Sequence, residues 1–118
     1  MDFLVNKKKQ NRKTGLCPGI YTSEIVSVME ATGFVPGHAY TIVYELDQNG
    51  KSFPFSETFI NDSEIPRTAN FCKTIEGYGL EIDTWDQLVG LREEVEILKE
   101  SMGKRGVYLN IANRKLVP

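Results

Sequence analysis

The chain has 118 residues, 41% apolar and 25% charged, with a formal net charge of −2. That length holds one domain with a core and is short for two, and no apolar run nears the roughly 20 residues that span a bilayer as a helix. With two cysteines and one histidine, spacing assembles no zinc cluster, so no metal and no cofactor are expected.

The net charge hides its distribution. Residues 1–13 carry five cations and one acid, residues 14–100 five cations and fifteen acids, and residues 101–118 four cations and no acid. Basic ends on an acidic body argue against broad, charge-driven nucleic-acid binding and leave room for a restricted contact path. The opening MDFLVNKKKQNRK puts its charges after a short apolar piece, the reverse of a signal peptide, so a cytoplasmic chain with no membrane partner is expected. Both cysteines are then expected as thiols. Residues 1–16 read as a basic, flexible tail and residues 17–118 as a single domain.

Cys17-Pro18-Gly19 closes the tail, and GIYTSEIVSVMEA follows with β-branched residues at roughly period two. Tyr21, Ser23 and Ile25 share a face; the adjacent Ile25 and Val26 imply a bulge in a long, bent first strand. TGFVPG is a loop that carries Phe34. HAYTIVYELD alternates cleanly, with Tyr40, Ile42, Tyr44 and Leu46 on one side. Asn49-Gly50 is a strong hairpin signal. The returning strand puts Phe53, Phe55, Glu57 and Phe59 on one face, and Pro54 marks an edge or a bulge.

Asn61-Asp62-Ser63 offers helix caps before Ile65, Ala69, Cys72 and Ile75, which fall at helical spacing with Phe71 beside them until Gly77 and Gly79. Asp83 or Thr84 caps a short turn carrying Trp85, read as a plug on the core. LREEVEILKE and GVYLNIAN close the series as two strands around the loop SMGKRG. Leu91, Val95 and Ile97 point inward on the first, with Glu93 and Glu94 read as a solvated face; Val107, Leu109 and Ile111 point inward on the second.

The reading is a mainly β fold with one helix: a five-stranded, OB-fold-like Greek-key barrel, its helix between strands 3 and 4. His38 has no acid near it in sequence, Gly77-Tyr78-Gly79 lacks the setting of a phosphate loop, and the carboxylate pairs read as surface. An enzyme and a small-molecule substrate are therefore not expected. Single strands are held by aromatic rings and a basic groove, and the barrel frame brings together Phe34, Lys51, Phe53, Phe55, Lys104, Arg105, Tyr108 and Arg114. Against this stands the demand of a small barrel for aromatic core, which Tyr40, Tyr44, Phe53, Phe55 and Phe59 could meet.

The wording "G-I-Y", "Y-T-I-V-Y-E-L-D", "P-R-T-A-N-F" ending in "G-Y-G-L", "W-D-Q-L-V-G" and "Y-L-N-I" resembles small phage and prophage proteins of the single-stranded DNA-binding OB-fold type, over roughly residues 19–112. The resemblance implies a role in replication or recombination of phage or mobile-element DNA, with single-stranded DNA as partner, no cofactor, and homo-oligomers common. The basic ending RKLVP departs from the acidic tail with which such proteins often recruit partners. The alternative expectation is a protein-interaction or assembly module on the same barrel with no nucleic acid, motivated by the acidic body and exposed strand edges.

Overall fold

A computed structural model describes residues 16–101 and 106–118, with Ser101 described by its backbone alone. The alternating segments form five strands, β1 (Gly19–Glu30), β2 (Ala39–Gln48), β3 (Lys51–Ile60), β4 (Arg92–Ser101) and β5 (Val107–Leu116). Helix α1 (Pro66–Gly77) and a 3-10 turn (Trp85–Leu88) lie between β3 and β4. All pairings are antiparallel, in one sheet of order β3-β2-β1-β4-β5. The mainly β fold with its helix after the third strand is therefore as expected, but β3 and β5 share no ladder. The sheet is barrel-like only loosely.

Asn49 and Gly50 turn β2 into β3 at φ 52° and 78°, a conformation open to Asn and Gly at low steric cost. In β1 the register shifts between Ile25 and Ser27. This bulge leaves Val26 46% exposed, while Val28 packs on the core. On the inner face Tyr21, Ile25, Ile42, Tyr44, Leu46, Phe59, Val95 and Ile97 are buried.

One end of this core is closed by rings. Phe59 stacks on Phe71 at 4.5 Å, Phe71 lies parallel to Trp85 at 5.9 Å, and Trp85 stacks on Tyr40 at 5.4 Å. The 3-10 turn that presents Trp85 is held by a capping box between Thr84 and Gln87. Trp85 thus covers the core end as a plug.

Three local expectations are corrected. α1 starts at Pro66 with Ile65 as an N-cap that makes no side-chain bond; Asp62 Oδ1 instead accepts from the Glu64 N–H at 2.9 Å, in a turn ahead of the helix. The buried residues of α1 are Thr68, Phe71 and Ile75, so its inner stripe is rotated from the one through Ala69 and Cys72. Val107 is 63% exposed rather than inward, because β4 and β5 run on past Gly19, the last β1 residue to pair with β4, which faces Ile97.

Candidate functional site

The register decides which backbone groups each edge of the sheet offers. Asn61 N–H donates to the His38 carbonyl at 2.7 Å, so odd-numbered residues of β3 bond to β2 and even-numbered ones face outward along the edge. Pro54 falls on that outward row, where its missing N–H costs no ladder bond. Two further groups of the row are capped from α1: Arg67 Nη1 donates to the Thr58 carbonyl at 2.5 Å, and Thr68 Oγ1 to the Ile60 carbonyl at 2.7 Å.

Beside this edge, on the face of β2 and β3, lies a groove of about 510 Å³ lined by Leu16, Thr41, Val43, Pro54, Phe55, Ser56 and Leu109. None of these side chains is charged. The body around it carries fifteen acids between residues 14 and 100.

The residues singled out in the sequence are distributed around it. Phe55 lines the groove, its ring tilted against Tyr44 at 6.1 Å. Phe53 is half-buried on the same inner face, edge-on to Tyr21 at 5.9 Å. Lys51 is exposed where β3 leaves the turn. That turn lies at the β1 start, where Gln48 Nε2 donates to the Ile20 carbonyl at 2.9 Å. Tyr108 is 43% exposed on β5 beyond the same end of β1. Phe34, 47% exposed, stands at the opposite end of β1, in the loop to β2. Lys104 and Arg105 lie outside the described residues. Arg114 faces inward, its side chain 10% exposed.

That placement of Arg114 comes from a second bulge. Ile97 pairs with Ile111 but Glu96 with Asn113, so Ala112 is the extra residue and the even-numbered residues after it turn inward. Arg114 Nη2 donates to Glu57 Oε1 of β3 at 2.8 Å and Nη1 to Glu93 Oε1 of β4 at 3.2 Å. Tyr44 O–H also donates to Glu57 Oε1, and Tyr78 O–H donates to Glu93 Oε2 at 2.7 Å. At the rim Arg67 pairs with Glu57 Oε2 at 3.3 Å and lies 4.1 Å over the Phe59 ring.

Glu93 is fully buried, which corrects its reading as a solvated surface acid. Burial raises its pKa above the ordinary carboxylate value, and the Arg114 charge and the Tyr78 hydrogen bond only partly offset this. Burial alone would lower the Arg114 pKa, but Tyr44, Glu57 and Glu93 together raise it, so the guanidinium stays charged at any working pH. Burial first, then Glu57, pushes the Tyr44 phenol well up. The cluster thus holds two carboxylates and two guanidiniums, with the inner guanidinium shared between two strands.

A second cleft, of about 560 Å³, opens over this cluster between β3, α1 and β5. Its polar lining is Glu57, Arg67, Asn70, Thr74, Asn110, Asn113 and Arg114 over the rings of Phe59 and Phe71. Sequence reading missed Glu57 and Glu93 as interior acids. The available signal was their register: each occupies an inward position of an otherwise apolar alternation, and buried carboxylates need a cation.

His38 is exposed. Among the described residues no group of three or more His, Cys, Asp or Glu is placed to hold a metal ion, and no helix among them is long and apolar enough to cross a membrane. No protein-family model, curated protein or solved structure matches the chain.

Proposed function

We propose that this chain is a non-catalytic binding domain for single-stranded nucleic acid, DNA in particular, that seats bases in the neutral groove on β2 and β3. The observation that carries the reading is the groove itself: an uncharged surface of about 510 Å³ with Phe55 in its lining, on the face where OB-like sheets hold oligonucleotides. Bases stack on exposed rings whatever their sequence; Phe34 and Tyr108 offer such rings at opposite ends of β1, and Phe55, half-buried against the core, adds its ring to the groove lining. Lys51 supplies a cation at the turn, and Thr41 and Ser56 line the groove with hydroxyls, that of Thr41 paired with the Thr58 hydroxyl at 2.9 Å. Arg114 is committed to Glu57 and Glu93 and serves the site by holding β5 against β3. Service to phage or mobile-element DNA rests on the sequence resemblance.

The test is fluorescence anisotropy of a labelled oligo-dT against the full chain at low salt. Binding in the micromolar range that weakens with added salt is expected. Phe55→Leu, which keeps an apolar side chain but removes the ring, should weaken it about fivefold or more, with thermal unfolding confirming that the variant is folded. No binding at tens of micromolar, or binding indifferent to salt, would sink the proposal.

A further inference from the structure

The two edges of the sheet are treated in opposite ways. On β3 the outward row is interrupted by Pro54 and covered by Arg67 and Thr68, devices that keep another strand from pairing there. The β5 edge carries none of them. Val117 N–H donates to the Arg92 carbonyl at 3.1 Å, so even-numbered residues of β4 bond to β5. Their partners Asn110 and Tyr108 face β4, and Val107, Leu109 and Ile111 present their N–H and C=O groups outward. Among the described residues nothing bonds to those groups.

Val107 and Tyr108 at the start of this stretch project beyond the body, while Leu109 and Ile111 pack at its margin. Because β1 ends opposite Ile97, the part of β4 beyond it and the first residues of β5 form a two-stranded arm. Leu98 is 41%, Val107 63% and Tyr108 43% exposed on that arm. A two-stranded ribbon is marginal by itself and gains from added strands.

We propose that β5 pairs with β5 of a second copy of the chain, antiparallel about a two-fold axis at Leu109, joining two sheets into one. A two-fold contact must be self-complementary, and this segment is. Leu109 would face the partner's Leu109, and Val107 the partner's Ile111, on one side of the ribbon; Tyr108 would face the partner's Asn110 on the other. No charge occurs from Val107 to Ile111, so no like charges meet. The ladder is bounded by Gly106, at φ 93°, and by the bulge at Ala112. The partner is a second copy rather than an unrelated strand because apolar meets apolar and the tyrosine meets an amide under the chain's own two-fold operation. This inference does not rest on nucleic-acid binding, although the ladder would engage Tyr108 and Leu109, which the proposed base path also uses.

The experiment is sedimentation equilibrium of the full chain from about 1 to 500 micromolar, without nucleic acid. A concentration-dependent rise toward twice the monomer mass is expected. The double variant Tyr108→Lys with Asn110→Lys sets lysines opposite each other at both symmetry-related pairs, and dimerisation should weaken about tenfold. Tyr108→Lys with Asn110→Glu sets opposite charges there and should restore it. Circular dichroism shows that each variant is folded. A monomer throughout the range, including one that pairs only with an added extended peptide, overturns the proposal. So does a dimer indifferent to the two lysines, which would use another surface.

Discussion

Arg114 joins the two edges of the open sheet. Removing it leaves Glu57 and Glu93, 8% and 0% exposed, without their shared cation. Breaking one side of such a buried group costs about 3–5 kcal/mol. Arg114→Ala should therefore lower the urea midpoint of unfolding by that amount of stability. The exposed pair of Lys115 and Glu94, at 3.2 Å, should contribute under about 1 kcal/mol by the same assay. The pH dependence follows from Glu93. Its pKa is raised by burial above the ordinary 4.5, so the folded chain binds this proton more tightly than the unfolded chain. The resulting stability is fully present below the ordinary value and is lost as pH rises through the raised one. Wild type should accordingly lose stability relative to Glu93→Gln as pH is taken from the acid side of that window toward neutrality, measured by urea unfolding at each pH. A flat difference would show that Glu93 takes up no extra proton in the folded state.

Among the elements, the β2–β3 hairpin was legible because its determinants are local. Asn-Gly supplies positive φ and the alternation supplies the faces. Gly50→Ala places a Cβ at φ 78° and should cost about 1–2 kcal/mol, whereas Asn49→Gly should be nearly neutral; chemical denaturation of both variants checks the contrast. Helix α1 was only partly legible, since its sequence carries apolar residues around more than one stripe. Packing on β3 selected Thr68, Phe71 and Ile75, and Thr68 was chosen for its hydroxyl as much as its methyl. Thr68→Val keeps the shape and removes the donor to Ile60, so a loss of about 1 kcal/mol is expected in equilibrium unfolding.

For the whole molecule, the open seam between β3 and β5 sets how much charge a ligand can meet. With Arg114 and Arg67 engaged inside the cluster and its rim, the proposed path has few cations to offer, Lys51 among them, and about two or three phosphate contacts are expected. The plot of log binding constant against log salt for single-stranded DNA should then have a shallow slope of about −1.4 to −2.1. A much steeper slope would mean that the basic ends, rather than the groove, hold the strand.

What the sequence determined by itself was everything governed by period and by turn chemistry. The five strands, the Asn-Gly turn, the bulge after Ile25 and the shared face of Phe53, Phe55, Glu57 and Phe59 depend on neighbours in the chain. What only the tertiary structure decided was how distant segments meet. Whether Glu93 lies in water or in the core depends on what covers β4. Whether Arg114 points out toward phosphate or in toward two carboxylates depends on a one-residue bulge at Ala112, and inserting one residue into a strand exchanges its two faces. Alternation states which residues share a side, and it does so without stating which side the assembled sheet will turn inward.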